Sequence, residues 1–344
     1  MNETQQVTIA VDAMGGDDAP QVVLDGCEQA LAADPNLMIV LTGPVEVVEP
    51  FAASHERCTA RATTEVISMG EHPANAVRRK KDSSIVVGCR LVKEGQADGF
   101  FSAGSTGACL AAGTLVIGRA KGVARPALVV VVPSPSRPVV FADVGANADC
   151  KPAYLVQFAQ MASVFAERIV GTPSPRVALL NIGEEETKGS SFAQDAHKLL
   201  RAQLPSFAGN AEGRDLAAGA FDVVVCDGFT GNVALKTLEG TVKMLFGEIK
   251  GALTSSLATK LGALAIKGSL ADLKRKLDPD TYGGSPLLGV KGACIVGHGS
   301  SNARAVRNGI ATAAQSVRSD LSGAIERAIS GKGAVAASAE EEAR

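Results

Sequence analysis

Apolar runs of four to six residues recur along the chain: VTIAV (7–11), LMIVL (37–41), GFFS (99–102), ALVVVV (127–132), PVVFAD (138–143), RVALLN (176–181), DVVVC (222–226) and ACIV (293–296). They are continuous, not alternating. That is the pattern of strands buried on both faces, as in a parallel sheet covered by helices. Stretches with helical spacing separate them, at about 20–33, 83–95, 106–120, 152–169, 191–203, 232–250 and 301–329. Alternation of this kind predicts a three-layer α/β/α fold with right-handed crossovers. VVPSPSRP (131–138) joins two strands like a hairpin turn, so the sheet should be mixed. There is no internal repeat. Residues 1–330 are expected to form a single domain, and the small, charged stretch 331–344 a disordered tail.

Residues 241–276 break the alternation. Lys243, Lys250, Lys260, Lys267, Lys274, Arg275 and Lys276 face only Glu248 and Asp272 there. Leu253, Leu257, Leu261, Leu264, Leu270, Leu273 and Leu277 recur at helical intervals. A basic, amphipathic helical hairpin projecting from the body is predicted. It would pack in the core, against a partner subunit, or on an anionic membrane surface.

Composition narrows the class. The chain has 344 residues, 46% hydrophobic and 20% charged, with a formal net charge of −2. This is a globular composition with no bulk attraction for nucleic acid. No apolar run approaches the ~18 residues of a membrane span. The N-terminus lacks a basic, apolar signal sequence, so a cytoplasmic protein is expected. The seven cysteines are scattered without a CxxC pair, which argues for reduced, buried thiols and no metal site.

The chemistry gathers at strand ends, where open α/β sheets bind ligands. VTIAV runs into DAMGGD (12–17), GFFS into AGSTGA (103–108), PVVFA into DVGAN (143–147), RVALL into NIGEEETKGS (181–190), DVVVC into DGFTGN (227–232) and ACIV into GHGSSN (297–302). Glycine allows close backbone approach, and helix N-termini favour anions. Taken singly, each turn is ordinary punctuation with a Ser or Asp cap. Together they predict one convergent site built for phosphate. Lys188, Asn232 and His298 are the candidate catalytic residues. The candidate substrate-binding set is Asp12, Gly15, Gly16, Gly104, Ser105, Thr106, Gly107, Asp143, Asn147, Asn181, Asp227, Thr230 and Ser300. Two familiar motifs are near misses: GEEETKGS lacks the GK[ST] of a P-loop, and GHGSSN lacks the last glycine of GxGxxG. The basic run RRKK (78–81) is expected to be a solvated loop and helix start, or a dock for an acidic partner or a phosphate tail.

In this order, VDAMGGD, SAGSTGA, DVGAN, NIGEEETKG, DGFTGN and YGGSPLLGVKG…GHGSSN resemble the acyl-carrier-protein:phosphate acyltransferases of bacterial phospholipid synthesis (PlsX-type). The matching stretches run from residue 8 to about 310. Ser105 stands where that family usually has Asn, and Asp18 where it usually has His. The resemblance implies an isocitrate-dehydrogenase/phosphotransacetylase-like fold, a homodimer, loose membrane contact and no cofactor. It implies transfer of a fatty acyl group from acyl carrier protein to inorganic phosphate, with a membrane glycerol-3-phosphate acyltransferase as a partner downstream. Phosphate arrives charged, its second ionisation lying near neutrality (about 6 for a phosphoester). The enzyme then needs to position it and to stabilise an oxyanion and a departing thiolate. No GxSxG nucleophile elbow is present. Two rival readings remain at this point: an NAD(P)-dependent dehydrogenase of related fold, and a non-catalytic lipid- or carrier-protein-binding module.

Overall fold

In this computed structural model the described residues are 5–276 and 281–341, with side chains described for 5–273 and 281–331. The strands are β1 (Val7–Asp12), β2 (Leu37–Gly43), β3 (Cys58–Ala62), β4 (Gly99–Ser102), β5 (Ala127–Val132), β6 (Val139–Ala142), β7 (Val177–Leu180), β8 (Phe207–Ala211), β9 (Val223–Val225), β10 (Ser285–Leu288) and β11 (Ala293–Val296). The helices are α1 (Gln21–Ala33), α2 (Val45–Ala53), α3 (Pro73–Arg79), α4 (Ser84–Lys93), α5 (Thr106–Ala112), α6 (Pro152–Phe165), α7 (Ser191–Gln203), α8 (Gly213–Ala218), α9 (Gly228–Thr254), α10 (Leu257–Ala265), α11 (Lys267–Lys276), α12 (Ala303–Arg318) and α13 (Leu321–Glu341).

The strands form one sheet in the order β3-β2-β1-β4-β11-β10-β5-β6-β9-β7-β8. All its pairings are parallel except β11–β10, β10–β5 and β5–β6. The expected hairpin is the β5–β6 pair, so the sheet is mixed as predicted. Three successive reversals have a further effect. β6, β9, β7 and β8 run opposite to β1, β4 and β11. Their carboxyl ends therefore open on opposite edges of the sheet.

Side chains alternate between two helical layers. Ala10, Phe100 and Cys294 share one cluster with residues of α3, α4 and α5, and Phe141, Ala178 and Val224 continue it towards Leu216 of α8 and Ala234, Leu235 and Leu238 of α9. Ile9, Phe101 and Ile295 pack under α1 and α12, and Val140, Val177 and Val223 under α6, α7 and α13. This explains the continuous apolar runs: both faces of each central strand are covered.

Three strands escaped the pattern. β3 (CTARA) and β8 (FAGNA) are the two edge strands, half open to solvent and hence poor in branched apolar residues. β10 (SPLL) is short and carries Pro286. The expected helix 106–120 is α5 closed by a π turn, Gly113–Ile117, and Gly118 at φ 94°. The expected helix 301–329 is two helices, broken at Asp320 with φ 50°. The expected disordered tail is continued as α13 to Glu341, and 342–344 lie outside the described residues. The stretch 241–276, expected as a helical hairpin, comprises the second half of α9, then α10 and α11, and no residue of α10 is buried. Among the described residues, no helix is long and apolar enough to cross a membrane.

Candidate active site

The six turns do not converge within one chain. They form two groups, one on each edge of the sheet. The first joins the ends of β1, β4 and β11. The Ser102 hydroxyl donates to Asp12 Oδ2 (2.7 Å) and accepts from the Gly104 N–H (3.0 Å). The Gly297 N–H donates to the Ser102 carbonyl (2.8 Å), and the Asp17 N–H to the Gly299 carbonyl (2.7 Å). Gly15 is required by this contact: a Cβ there would lie 2.7 Å from the Gly104 nitrogen. Gly16, Ser105, Thr106, Gly107 and Ser300 line the same turns. Ser105 caps α5 through its hydroxyl, which accepts from the Ala108 N–H (3.4 Å).

His298 is exposed at this edge. The Ser300 N–H donates to its Nδ1 (3.3 Å), and the Ser300 hydroxyl sits 2.8 Å from the same atom. A backbone N–H can only donate, so in the neutral ring the hydrogen is on Nε2. Nε2–H is left as an outward donor.

The second group joins the ends of β6, β9 and β7. Asp143 organises it. Its Oδ1 accepts from the N–H groups of Leu128 (3.0 Å), Gly145 (3.2 Å) and Ala146 (3.0 Å). Its Oδ2 accepts from both the backbone and side-chain nitrogens of Asn147, each at 2.8 Å. The Asn147 carbonyl in turn accepts from the Gly228 N–H (2.8 Å). Asp227 caps α9, accepting from the Thr230 N–H (2.8 Å) and hydroxyl (2.7 Å). The polar letters of DGFTGN are thus mostly a helix start. Asn232, one turn later, is exposed with its amide beside Gly145.

Lys188 sits on the third turn of this edge. Its stem folds over Gly183. Two of the three neighbouring acids are paired elsewhere, and Glu185 Oε2 lies by the same glycine without an ion pair to the ammonium. Glu184 pairs with Arg214 (3.4 Å), Glu186 pairs with Arg201, and among the described residues no ion pair claims the Lys188 ammonium. Asn181 fixes the turn by donating to the Lys188 carbonyl (3.1 Å).

Two predicted ligand contacts need correction. Asp12 and Asp143 are 1% and 0% exposed, and protein donors occupy their carboxylates. They shape the turns and do not face a ligand. Burial raises both acids above the ordinary Asp value, against the lowering effect of those hydrogen bonds. Ser102 was missed because it closes an apolar run and reads as part of the strand. All the cysteines but Cys150 are buried, and burial pushes the half-buried Cys150 thiol up to about 11. Among the described residues, no group of three or more His, Cys, Asp or Glu is placed to hold a metal ion.

The family model described as "Fatty acid synthesis protein" matches residues 7–323. A relative from Desulfitobacterium hafniense (strain Y51), named "Phosphate acyltransferase", is 50% identical over 315 residues, covering 90% of this chain and 94% of its own. One of the same name from Heliobacterium modesticaldum is 47% identical over 329 residues, covering 94% and 98%. In fold, the chain is similar to a phosphotransacetylase from Streptococcus pyogenes, with a TM-score of 0.59 at 19% identity over 92% of this chain and 96% of that one.

Proposed function

The chain belongs to the fatty acid synthesis protein family, whose model spans residues 7–323, and from that premise we propose that it is a phosphate acyltransferase moving a fatty acyl group from the thioester of acyl carrier protein to inorganic phosphate. The observation that carries the site assignment is Lys188. It is an ammonium without a carboxylate partner among the described residues, on a turn where two of the three acids, Glu184 and Glu186, are paired with Arg214 and Arg201.

The chemistry is a direct transfer. A phosphate oxygen attacks the thioester carbonyl carbon, the C–O bond forms, and the C–S bond breaks. Acyl phosphate and the carrier's thiolate leave. Lys188 holds the phosphate charge, and Asn232 donates a neutral hydrogen bond beside it. His298 Nε2–H donates to the developing oxyanion or to the departing sulfur. A cysteine acyl-enzyme is disfavoured, because a thiol held near 11 is almost wholly protonated at neutral pH.

Lys188 and Asn232 lie on the edge opposite His298. Among the described residues no hydrogen bond or ion pair joins the two groups. A homodimer that sets the β6–β9–β7 turns of one copy against the β1–β4–β11 turns of the other would complete the site. The exposed Leu257 (81%), Leu261 (68%) and Leu264 (66%) on α10 support loose contact with an anionic membrane surface, near the lipid enzyme that would consume acyl phosphate.

The test is to mix protein, long-chain acyl carrier protein and phosphate, and to measure thiol release. Release that depends on phosphate and yields acyl phosphate is expected. Phosphate-independent release, or none, would overturn the reading.

A further inference from the structure

His197 lies on α7, outside the turn sequences that the strand ends mark, and is 4% exposed. Its Nδ1 is 2.8 Å from Asn210 Oδ1. The Asn210 side-chain nitrogen donates to the Glu185 carbonyl (2.9 Å), and that carbonyl also accepts from the Lys188 N–H (3.0 Å). The orientation is determined by chemistry. A carbonyl only accepts, so the Asn210 nitrogen faces Glu185 and its oxygen faces the ring. His197 Nδ1 must therefore donate. Nε2 is left buried without a hydrogen-bond partner, 3.9 Å from Glu186 Oε1. The Phe207 ring packs against the imidazole in a T-shaped pair, with ring centroids 5.0 Å apart.

The strand is built to make this bond. β8 pairs Phe207 with Val177 but Asn210 with Leu179, so one extra residue is inserted between them. Gly209, at φ 109°, absorbs the bulge. An inserted residue flips the rest of the strand to the other face, which here turns Asn210 towards α7. Packing alone gives no reason for this. A buried ring nitrogen without a partner is destabilising, and an apolar pair would fill the same space without that cost.

We propose that His197 and Asn210 are positioning residues, a polar strut from α7 through the β8 bulge that sets where the Lys188 turn sits. The proposal rests on the reading of Lys188 as the phosphate-binding cation. Asn181, on the Lys188 carbonyl, and Gln194, which donates to the carbonyls of Thr187 (2.8 Å) and Gly189 (3.2 Å), hold the rest of the turn. The strut holds the turn at Glu185, from the side of the edge strand.

The test compares His197→Leu, His197→Asn and Asn210→Ser, with His197→Leu also made in a Lys188→Ala background, reading kcat, KM for phosphate and the thermal midpoint. His197→Leu should lower kcat/KM for phosphate at least about tenfold while the thermal midpoint holds. His197→Asn, whose amide can donate from about the place of Nδ1, should recover most of the loss. In the Lys188→Ala background, His197→Leu should cost less than about twofold more, since the two act through one group. Equal losses in both backgrounds, or a folded His197→Leu within about twofold of the parent while Lys188→Ala is crippled, would overturn the strut. Asn210→Ser carries the same expectation should His197→Leu not fold. Normal turnover by Lys188→Ala would instead sink the reading of Lys188. The strut would then be judged by amide exchange over residues 184–190: faster exchange in His197→Leu upholds it, and unchanged exchange refutes it.

Discussion

Two glycines of one helix should respond to alanine with opposite signs. Gly231 and Gly240 both lie in α9. A Cβ at Gly240 would meet nothing within 4 Å. Gly240→Ala should therefore stabilise by about 1 kcal/mol, the helix-propensity difference. A Cβ at Gly231 would collide with the Asp143 carbonyl oxygen and lie 3.0 Å from both the Asp143 carbonyl carbon and Cys226 Sγ. Asp143 cannot retreat. Its carboxylate is held by Leu128, Gly145, Ala146 and Asn147, and its N–H donates to the Cys226 carbonyl at 3.1 Å. The helix start must move instead. Overpacking of this kind costs about 1–3 kcal/mol, more than the propensity gain at a first-turn position. A net loss of about 1–2 kcal/mol is expected, and a gap of about 2–3 kcal/mol between the two variants. Denaturant midpoints with a common m-value measure it. Turnover provides a second readout, because Asn232 moves with the helix and a displacement of about 1 Å can cost up to about 100-fold. If Gly231→Ala proves as stable as Gly240→Ala, the close contact between α9 and the Asp143 turn is not as described.

Lys188→Ala should lower kcat/KM by at least about tenfold, or ~1.4 kcal/mol of transition-state stabilisation, and near-normal turnover in a folded variant would remove Lys188 from the mechanism. Asp12 gives a pH signature. Its native pKa is raised, chiefly by burial, so its contribution to stability is complete below the unfolded-state pKa and is lost as pH rises through the native one. As pH rises above about 4, the ordinary Asp value, Asp12→Asn should flatten the fall in stability, and an unchanged slope would contradict the burial argument. Replacing Leu257, Leu261 and Leu264 by Glu should release the protein from anionic liposomes and leave turnover of soluble acyl carrier protein largely intact. Loss of a dimer together with activity would assign these leucines to a subunit interface, and unchanged binding would point to another surface such as residues 78–81.

The layered fold was legible because burial on both faces leaves a local trace. ALVVVV and DVVVC have no polar alternation, since α-helices cover both sides of β5 and β9. The turns were legible because they too are local: Ser105, Ser190, Asp227 and Asn302 mark helix starts by hydrogen bonds that need only neighbouring residues. What the sequence could not decide is where those turns go. Three antiparallel pairings in mid-sheet send β6, β9 and β7 against β1, β4 and β11, and such pairings depend on contacts between residues far apart in the chain. The division of one expected site into two edges comes from them. So do the internal roles of Asp12 and Asp143, which read as ligand contacts until burial and the surrounding protein donors account for each carboxylate. His197 and Asn210 are the sharpest case. Nothing near either residue in sequence marks it, because their meeting is produced by a bulge in an edge strand and a helix laid across it.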